Sequence, residues 1–437
     1  MISVDRALEI VLEHALRPAR TTESLLRARG AVLARDVRAD RDLPPFDRAA
    51  VDGFAVRLDG AWNESGTLFR LRGQVAAGDR FRGRLAPGEA VHVMTGAPVP
   101  PEADGVVMVE RSEPCGSEQV RLTGPFEAKA GRPGLAPRGQ DARRGEPLLL
   151  AGTRLTPAQI AILASIGVTE PPVWKRPSVT IVTTGDEVVE PDQKPRPEQI
   201  RNSNGALLQA MLSMSGWVGS VRARRARDRM ASLRRTLDAG RDFPDVLVFT
   251  GGVSMGQFDL VPDLLQEAGF SIHFHRIALR PGKPLLFATR RKAGKWQVAF
   301  GLPGNPVSVC VTAWEFLLPL LRKSSGTIDP RPFEMRLPVA RDLHRKPGLT
   351  HFIPARISET IGTPHDGLGD RLSVAPVSYH GSGDFIALGY ADALIRIEAE
   401  NSDVEAGTPV VVHPLFRERE MSAAIPSESK RAREVAT

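Results

Sequence analysis

The chain has 437 residues, 42% hydrophobic and 25% charged, a balance ordinary for globular chains and a length too great for one hydrophobic core, so three or four domains are expected. No apolar run approaches the ~20 residues of a membrane span, and the start MISVDRALEIVLEHAL carries acids where a secretory signal needs a basic start and an unbroken apolar stretch. Cys115 and Cys310 alone give neither a disulfide framework nor a clustered metal site and fit a cytoplasmic protein, while the net charge of +7 favours anionic partners.

Near the amino terminus Ala7, Ile10, Val11, His14 and Ala15 share one helical face, and a second helix is expected over residues 22–29, stopped at Gly30. LPPFDRAAVDGFAV breaks that pattern. Residues 47–137 then alternate in short segments (67–71, 90–93, 105–108) separated by glycine and proline, which predicts a small β-rich domain. Residues 139–165 return to a helical pattern, with Thr156 as N-cap and Pro157 as first helical residue. A chain that leaves a helical region and comes back implies an insertion, so residues 1–46 and 138–173 are expected to form one discontinuous helical linker domain around the inserted domain 47–137.

Strand and helix patterns alternate through residues 174–326, which predicts an open three-layer α/β domain with helices on both faces of the sheet. In such sheets ligands bind beyond the carboxyl ends of the strands, and TTGDE, TGGVSMG and GLPGNP fall at those positions. Residues 327–417 lose the helical period and predict a small β-barrel, and the polar 418–437 reads as a flexible tail. A basic run from Arg222 through Arg224, Arg225, Arg227, Arg229 and Arg234 to Arg235 raises nucleic acid as a partner. Few aromatic residues accompany it for stacking, and Met230, Leu233 and Leu237 recur at helical spacing, so it reads as a solvated helix face and no nucleic-acid partner is expected.

The chemistry concentrates in the α/β domain. Gly251, Gly252 and Gly256 allow backbone amides to face an anion, and Asn305 ahead of Pro306 predicts a helix start whose free N–H groups lie beside Gly304. Asp186, Glu187, Asp228 and Asp259 follow strands of the same sheet. Gathered beside a phosphate they would repel it and one another by about 4 kcal/mol per close pair at an intermediate dielectric, a conflict that Mg²⁺ resolves. Taken singly, each acid equally fits a helix cap or a surface salt bridge. HRIALRPGKPLLF offers Arg276, Arg280 and Lys283, cations suited to a tetrahedral oxyanion; residue chemistry does not choose among phosphate, sulfate and molybdate. In the inserted domain Asp47, Asp52, Thr95, Gly96 and Glu110 stand in polar, glycine-bearing segments, although Asp52-Gly53 also fits a hairpin turn.

PPFDRAAVDGFAV, VHVMTGAPVPPEADGVVMVE, GQDARRGEPLL, TTGDE, TGGVSMGQFD, RPGKP, GLPGNPVS and YHGSGDF occur in an order and spacing that resembles the molybdopterin molybdenumtransferases, a fold shared with the gephyrin E domain. The resemblance runs from the amino terminus to about Phe416. It implies a MogA/MoaB-like molybdopterin-binding α/β domain, the inserted β-rich domain, the helical linker and a C-terminal β-barrel, in a homodimer whose inserted domain reaches the partner's site. It further implies insertion of molybdate into adenylylated molybdopterin with release of AMP. Asp52, Thr95, Glu187, Asp228, Asp259, Arg276, Arg280 and Lys283 match catalytic positions, and Glu187, Asp228 and Asp259 match the Mg²⁺ side. Gly251, Gly252, Ser254, Gly256, Pro303, Gly304, Asn305, Pro306 and Ser382 match substrate-binding positions. The molybdopterin adenylyltransferase and recipient molybdoenzymes are the implied partners. Two departures stand out. Pro354 occupies a place where related chains commonly carry an arginine, and Asp384 one where a neutral residue is common; both favour, as the alternative, a cofactor-delivery protein or a paralogue without insertase activity.

Overall fold

The structure, a computed structural model, describes residues 1–58, 66–123, 132–237, 243–253, 259–360, 371–401 and 403–415. The chain divides into two units, Met1–Thr21 with Trp174–Thr437, and Thr22–Val173.

In the larger unit six strands lie side by side in the order Ser220–Ala226, Ser178–Thr184, Val246–Thr250, Lys295–Leu302, Leu286–Lys292 and Ser271–His275. The first four are parallel, and Leu286–Lys292 runs antiparallel to both of its neighbours. Val246–Thr250 is buried at every position, as a continuous apolar run requires when helices cover both faces. The helix Ser203–Ser215 packs with Pro306–Thr312 on one face. The helices Met230–Leu237 and Val261–Glu267 close the other over Leu247, Phe249 and Leu286. This is the expected three-layer arrangement.

Two details differ from the sequence pattern. The amino-terminal helix Val4–Glu13 belongs with this unit instead of with residues 22–46, because its apolar stripe of Val4, Ala7, Leu8 and Val11 is buried and the helix packs beside Leu318–Ser324. The front of the basic run is an edge strand, since Arg222, Arg224 and Arg225 lie in Ser220–Ala226; only Arg234 and Arg235 ride on the helix Met230–Leu237.

Beyond the α/β sheet, Thr350–Thr360 pairs with Ala393–Ile397, which pairs with Pro409–Pro414, which pairs with Met335–Pro338. Arg371–Pro376 pairs with Thr350–Thr360 and meets Val339 through a bridge at Val374, so the circuit closes into the expected barrel. Ile353, Ala355, Val374, Ile395 and Val412 fill its interior. A buried pair fastens the barrel to the last helical run: His413 Nδ1 lies 2.8 Å from Glu315 Oε1, with both side chains nearly inaccessible. Burial alone would disfavour the imidazolium, but the Glu315 carboxylate outweighs it and raises the His413 pKa.

In the smaller unit a six-stranded sheet runs Gly105–Met108, Gly53–Arg57, Glu89–Val93, Leu68–Val75, Gln119–Leu122 and Ser112–Pro114. Alternation along Gly53–Arg57 sends Ala55 to one apolar cluster and Phe54 with Val56 to the other. The surrounding linker contains less helix than its sequence suggests. Residues 25–30 are turns, and of residues 139–165 only Pro157–Ser165 is helical, with Thr156 and Pro157 at its start. Glycine and polar residues there favour turns, and Leu33, Leu155, Leu163 and Val173 form the core without a second long helix.

Candidate active site

Three loops follow the carboxyl ends of adjacent parallel strands in the α/β domain and meet there. Gly251 and Gly252 have φ of +88° and +64°, which side-chain-bearing residues seldom adopt. A Cβ on Gly251 would stand 2.9 Å from the Thr184 hydroxyl, and one on Gly304 would stand 3.8 Å from the Gly251 Cα. The turns after Ser178–Thr184, Val246–Thr250 and Lys295–Leu302 therefore lie against one another, tightly enough at Gly251 that a side chain there would press on Thr184. His275 Nε2, 2.7 Å from the Val253 carbonyl, fixes the end of the glycine turn. Ser254 and Gly256 lie outside the described residues.

Asn204 ties this cluster together. Its Nδ2 donates to Gly304 O at 2.6 Å and to Thr250 Oγ1 at 3.0 Å, and Thr250 Oγ1 in turn reaches Pro303 O at 3.3 Å. Because Gly304 O only accepts, the amide orientation is determined, and the buried Asn204 Oδ1 finds no donor among the described residues. Asn202 caps the same helix by accepting from Gly205 N at 2.9 Å. Sequence reasoning missed both asparagines; the signal was NSN ahead of an apolar helical run, one residue placed to cap and the other to point from the first turn.

Asn305 occupies the N-cap position before Pro306, as the sequence predicts, but its side chain makes no capping bond. Nδ2 instead donates to Ser382 Oγ at 2.7 Å, and Val307 N donates to Ser382 O at 3.1 Å. The expectation of freely exposed N–H groups at this helix start is corrected for Val307, whose N–H is taken by the barrel loop. The same contact brings Ser382 beside Gly304 and Asn305.

The acids divide. Asp228 is partly buried, and burial, followed by the charge of Glu187, raises its pKa. Glu187 itself is exposed, and a Cβ on Gly185 would meet its carboxylate at 2.7 Å. Asp259 stands on a different loop, just ahead of Val261–Glu267. Among the described residues no three His, Cys, Asp or Glu side chains form a ready-made metal cage, so Glu187, Asp228 and Asp259 are not a preassembled three-ligand site. An all-oxygen pair with crowded negative charge does fit Mg²⁺, which is commonly held by one or two carboxylates together with substrate phosphates.

Arg280 and Lys283 are exposed on the basic turn and Arg276 is half-buried. Leu279–Arg280 runs parallel to Thr350 and His351 of the barrel, and a Cβ on Gly282 would collide with Thr312 of the helical run at 2.7 Å. The turn is therefore wedged between barrel and helix with its cations outward. Burial, with Arg280 among the nearby charges, lowers the His351 pKa. Arg276 has φ of +77°, a conformation usually left to glycine or asparagine.

The two departures sit in different settings, and nothing in the structure explains the proline. Pro354 is buried, and its carbonyl accepts from Val377 N. Arg356 lies on the same outward face of the strand, two residues or about 7 Å further on. Asp384 caps the short helix Phe385–Leu388 and accepts from His380 N at 3.2 Å, which lowers its pKa, so its charge is engaged within its own loop. Cys310, fully buried, has its thiol pushed up to about 12 and is no nucleophile.

In the smaller unit Asp52 and Thr95 form one constellation. Asp52 Oδ1 accepts from Thr95 N at 2.6 Å and from Thr95 Oγ1 at 2.8 Å, and these bonds lower the Asp52 pKa. The hairpin alternative fails, because Gly53 opens a strand and its Cβ would lie 2.0 Å from Val107 O. Asp47 is structural, pairing with Arg132 and accepting from Arg138 N.

A doubly wound domain with glycine turns at its strand ends, joined to a barrel and carrying an inserted β-domain, defines a modular protein of the molybdopterin-binding class. Three family models match in succession: the MoeA N-terminal region (domain I and II) over residues 2–167, the probable molybdopterin binding domain over 180–323 and the MoeA C-terminal region (domain IV) over 336–415. The molybdopterin molybdenumtransferase of Synechocystis is 32% identical over 93% of this chain and 98% of its own, and that of Staphylococcus aureus 29% over 94% of each. The crystal structure of the molybdopterin biosynthesis MoeA protein of Pyrococcus horikoshii superposes with a TM-score of 0.74 at 27% identity, covering 96% of this chain and all of that one. The chain belongs to the molybdopterin molybdenumtransferase family.

Proposed function

We propose that this protein inserts molybdenum from molybdate into adenylylated molybdopterin, releasing AMP. The observation that carries the proposal is the Asn305–Ser382 hydrogen bond, which joins the glycine turns expected to hold the phosphate to the loop of the barrel. The reaction brings a dianion beside an already anionic ligand, so it needs separate means of holding each. Gly251, Gly252 and Gly304 leave room for a phosphate, and Asn204 Oδ1 offers an acceptor to the ligand's N–H or O–H groups. Arg280 and Lys283 offset the charge of molybdate. Glu187, Asp228 and Asp259 would hold Mg²⁺, which when bound neutralises charge on the phosphoanhydride oxygens. Holding the reactants in register supplies most of the acceleration, and no side-chain nucleophile is required. A homodimer, a cytoplasmic location and exchange with an adenylyltransferase and recipient molybdoenzymes belong to the same proposal.

The test is AMP release from adenylylated molybdopterin in the presence of Mg²⁺ and molybdate. Molybdate-dependent AMP is expected, and Asp259→Asn should abolish it while leaving the oligomeric state unchanged; undiminished turnover would remove that acid from the mechanism. The second reading, a cofactor-delivery protein, draws on Pro354 in place of a cation. Tight pterin binding with no molybdate-dependent AMP selects it.

A further inference from the structure

The parallel strands have a second end, remote in the fold from the loops described above. At their amino ends lies a groove of about 480 Å³, walled by Lys175, Arg222, Phe243, Lys292, Lys295 and Trp296. Its floor is rigid. Gln297, 4% exposed, accepts from Arg290 Nε at 2.7 Å and donates to Pro244 O at 2.8 Å. Asp245, the one acid, is turned into that floor, where its Oδ2 accepts from both Ser178 N and Ser178 Oγ at 2.8 Å.

Four cations thus face one acid already committed elsewhere, and none of the four makes an ion pair among the described residues. Like charges collected around a concavity raise its positive potential, which an anionic ligand relieves. The aromatic rings supply the other half of the chemistry. Trp296 is 54% exposed and Phe243 41%, and Lys292 Nζ already stands 4.1 Å from the Phe243 ring centre. The indole of Trp296 offers a flat, open surface. In sequence the basic run carries no stacking partner; the fold brings Arg222 to Phe243 and Trp296 from distant segments.

We propose that this groove binds a phosphorylated heteroaromatic compound, a nucleoside phosphate or a pterin phosphate, with its ring on Trp296 and its phosphate between Lys292, Lys295, Arg222 and Lys175. The volume lies in the range of single-ligand pockets, ~300–1,000 Å³, and suits one nucleotide better than an extended strand. The proposal is independent of the reaction assigned to the opposite end of the sheet.

Labelling the five tryptophans with fluorine and assigning Trp296 through Trp296→Phe gives a local readout by ¹⁹F NMR on the full chain. ADP should shift the Trp296 resonance saturably, and the double variant Lys292→Gln/Lys295→Gln should weaken that response about tenfold or more, with stacking and charge both contributing. Adenosine alone and inorganic pyrophosphate alone should each bind more weakly than ADP. A pterin phosphate titrated in parallel identifies the source, and the tighter of the two ligands is the occupant. The melting curve serves as the control for folding and should be nearly unchanged in the double variant, since both lysines are on the surface. A Trp296 resonance unmoved by millimolar ADP and pterin phosphate overturns the proposal. So does an undiminished response in the double variant, or tighter binding of a short oligonucleotide than of either small ligand.

Discussion

Asn204 offers the sharpest test of how the site is built. Asn204→Ala removes the donor to Gly304 O and Thr250 Oγ1, bonds of 2.6 and 3.0 Å, while leaving the helix Ser203–Ser215 capped by Asn202. Two side-chain hydrogen bonds contribute about 1–3 kcal/mol together, equivalent to roughly 5- to 150-fold in an equilibrium constant. If they serve to hold the glycine turns for a ligand, pterin binding should weaken within that range. Thermal stability should fall by roughly 2–12 °C, because each 1 kcal/mol shifts the melting point of a 150–250-residue domain by ~2–4 °C. Asn204→Asp should be worse than alanine, since it sets a carboxylate against the Gly304 carbonyl and adds negative charge where a phosphate is expected. Isothermal titration with molybdopterin and a melting curve on each variant measure both quantities. Aspartate binding pterin as well as asparagine, or a large loss of stability with unchanged affinity, would refute the assignment of Asn204 to the ligand site.

The remaining predictions concern other links. Gly53→Ala places a Cβ 2.0 Å from Val107 O, so the paired strands must separate; a loss of about 1–3 kcal/mol or more should appear in urea unfolding, and an unchanged midpoint would count against this strand geometry. His413 has a raised pKa, so its contribution to stability is fully present below the ordinary histidine value of about 6.5 and is lost as pH rises through the raised value. Glu315→Gln should lower stability at pH 6 by about 1–3 kcal/mol and flatten this loss at higher pH, and urea midpoints at pH 6 and 9 that fall in parallel for both proteins would exclude the pair as its source. Thr95→Val removes the hydroxyl bond to Asp52, whose pKa should rise toward the ordinary aspartate value in a carboxyl-carbon NMR titration; no movement would mean that the hydroxyl does not help hold the carboxylate ionised.

Much of the architecture was legible because it is written in local periods. Alternating strand and helix patterns marked residues 174–326 as an α/β domain, Thr156 with Pro157 marked a helix start, and ordered glycine motifs marked the strand ends. Such signals need only neighbouring residues, whose backbone angles and side-chain alternation are fixed by short-range sterics. Where the local signal was weak the pattern misled: residues 25–30 share apolar spacing with a helix yet form turns, and the stripe on Val4–Glu13 specifies a buried face without naming what buries it.

What the sequence could not contain was pairing across distance. It supplied Asn305 as an N-cap residue, but only the closure of the barrel decides that its amide meets Ser382 instead of its own helix. It supplied Asp47 and Asp52 in one segment, and the fold separates them into a structural partner for Arg132 and an acceptor for Thr95. Likewise Arg222, Phe243 and Trp296 carry no common motif, and they form one wall because the sheet places the starts of their strands side by side. Sequence determined the elements and the chemical groups available, since those depend on local geometry. Tertiary structure decided which groups meet, because strand order and domain packing set distances that no spacing along the chain encodes.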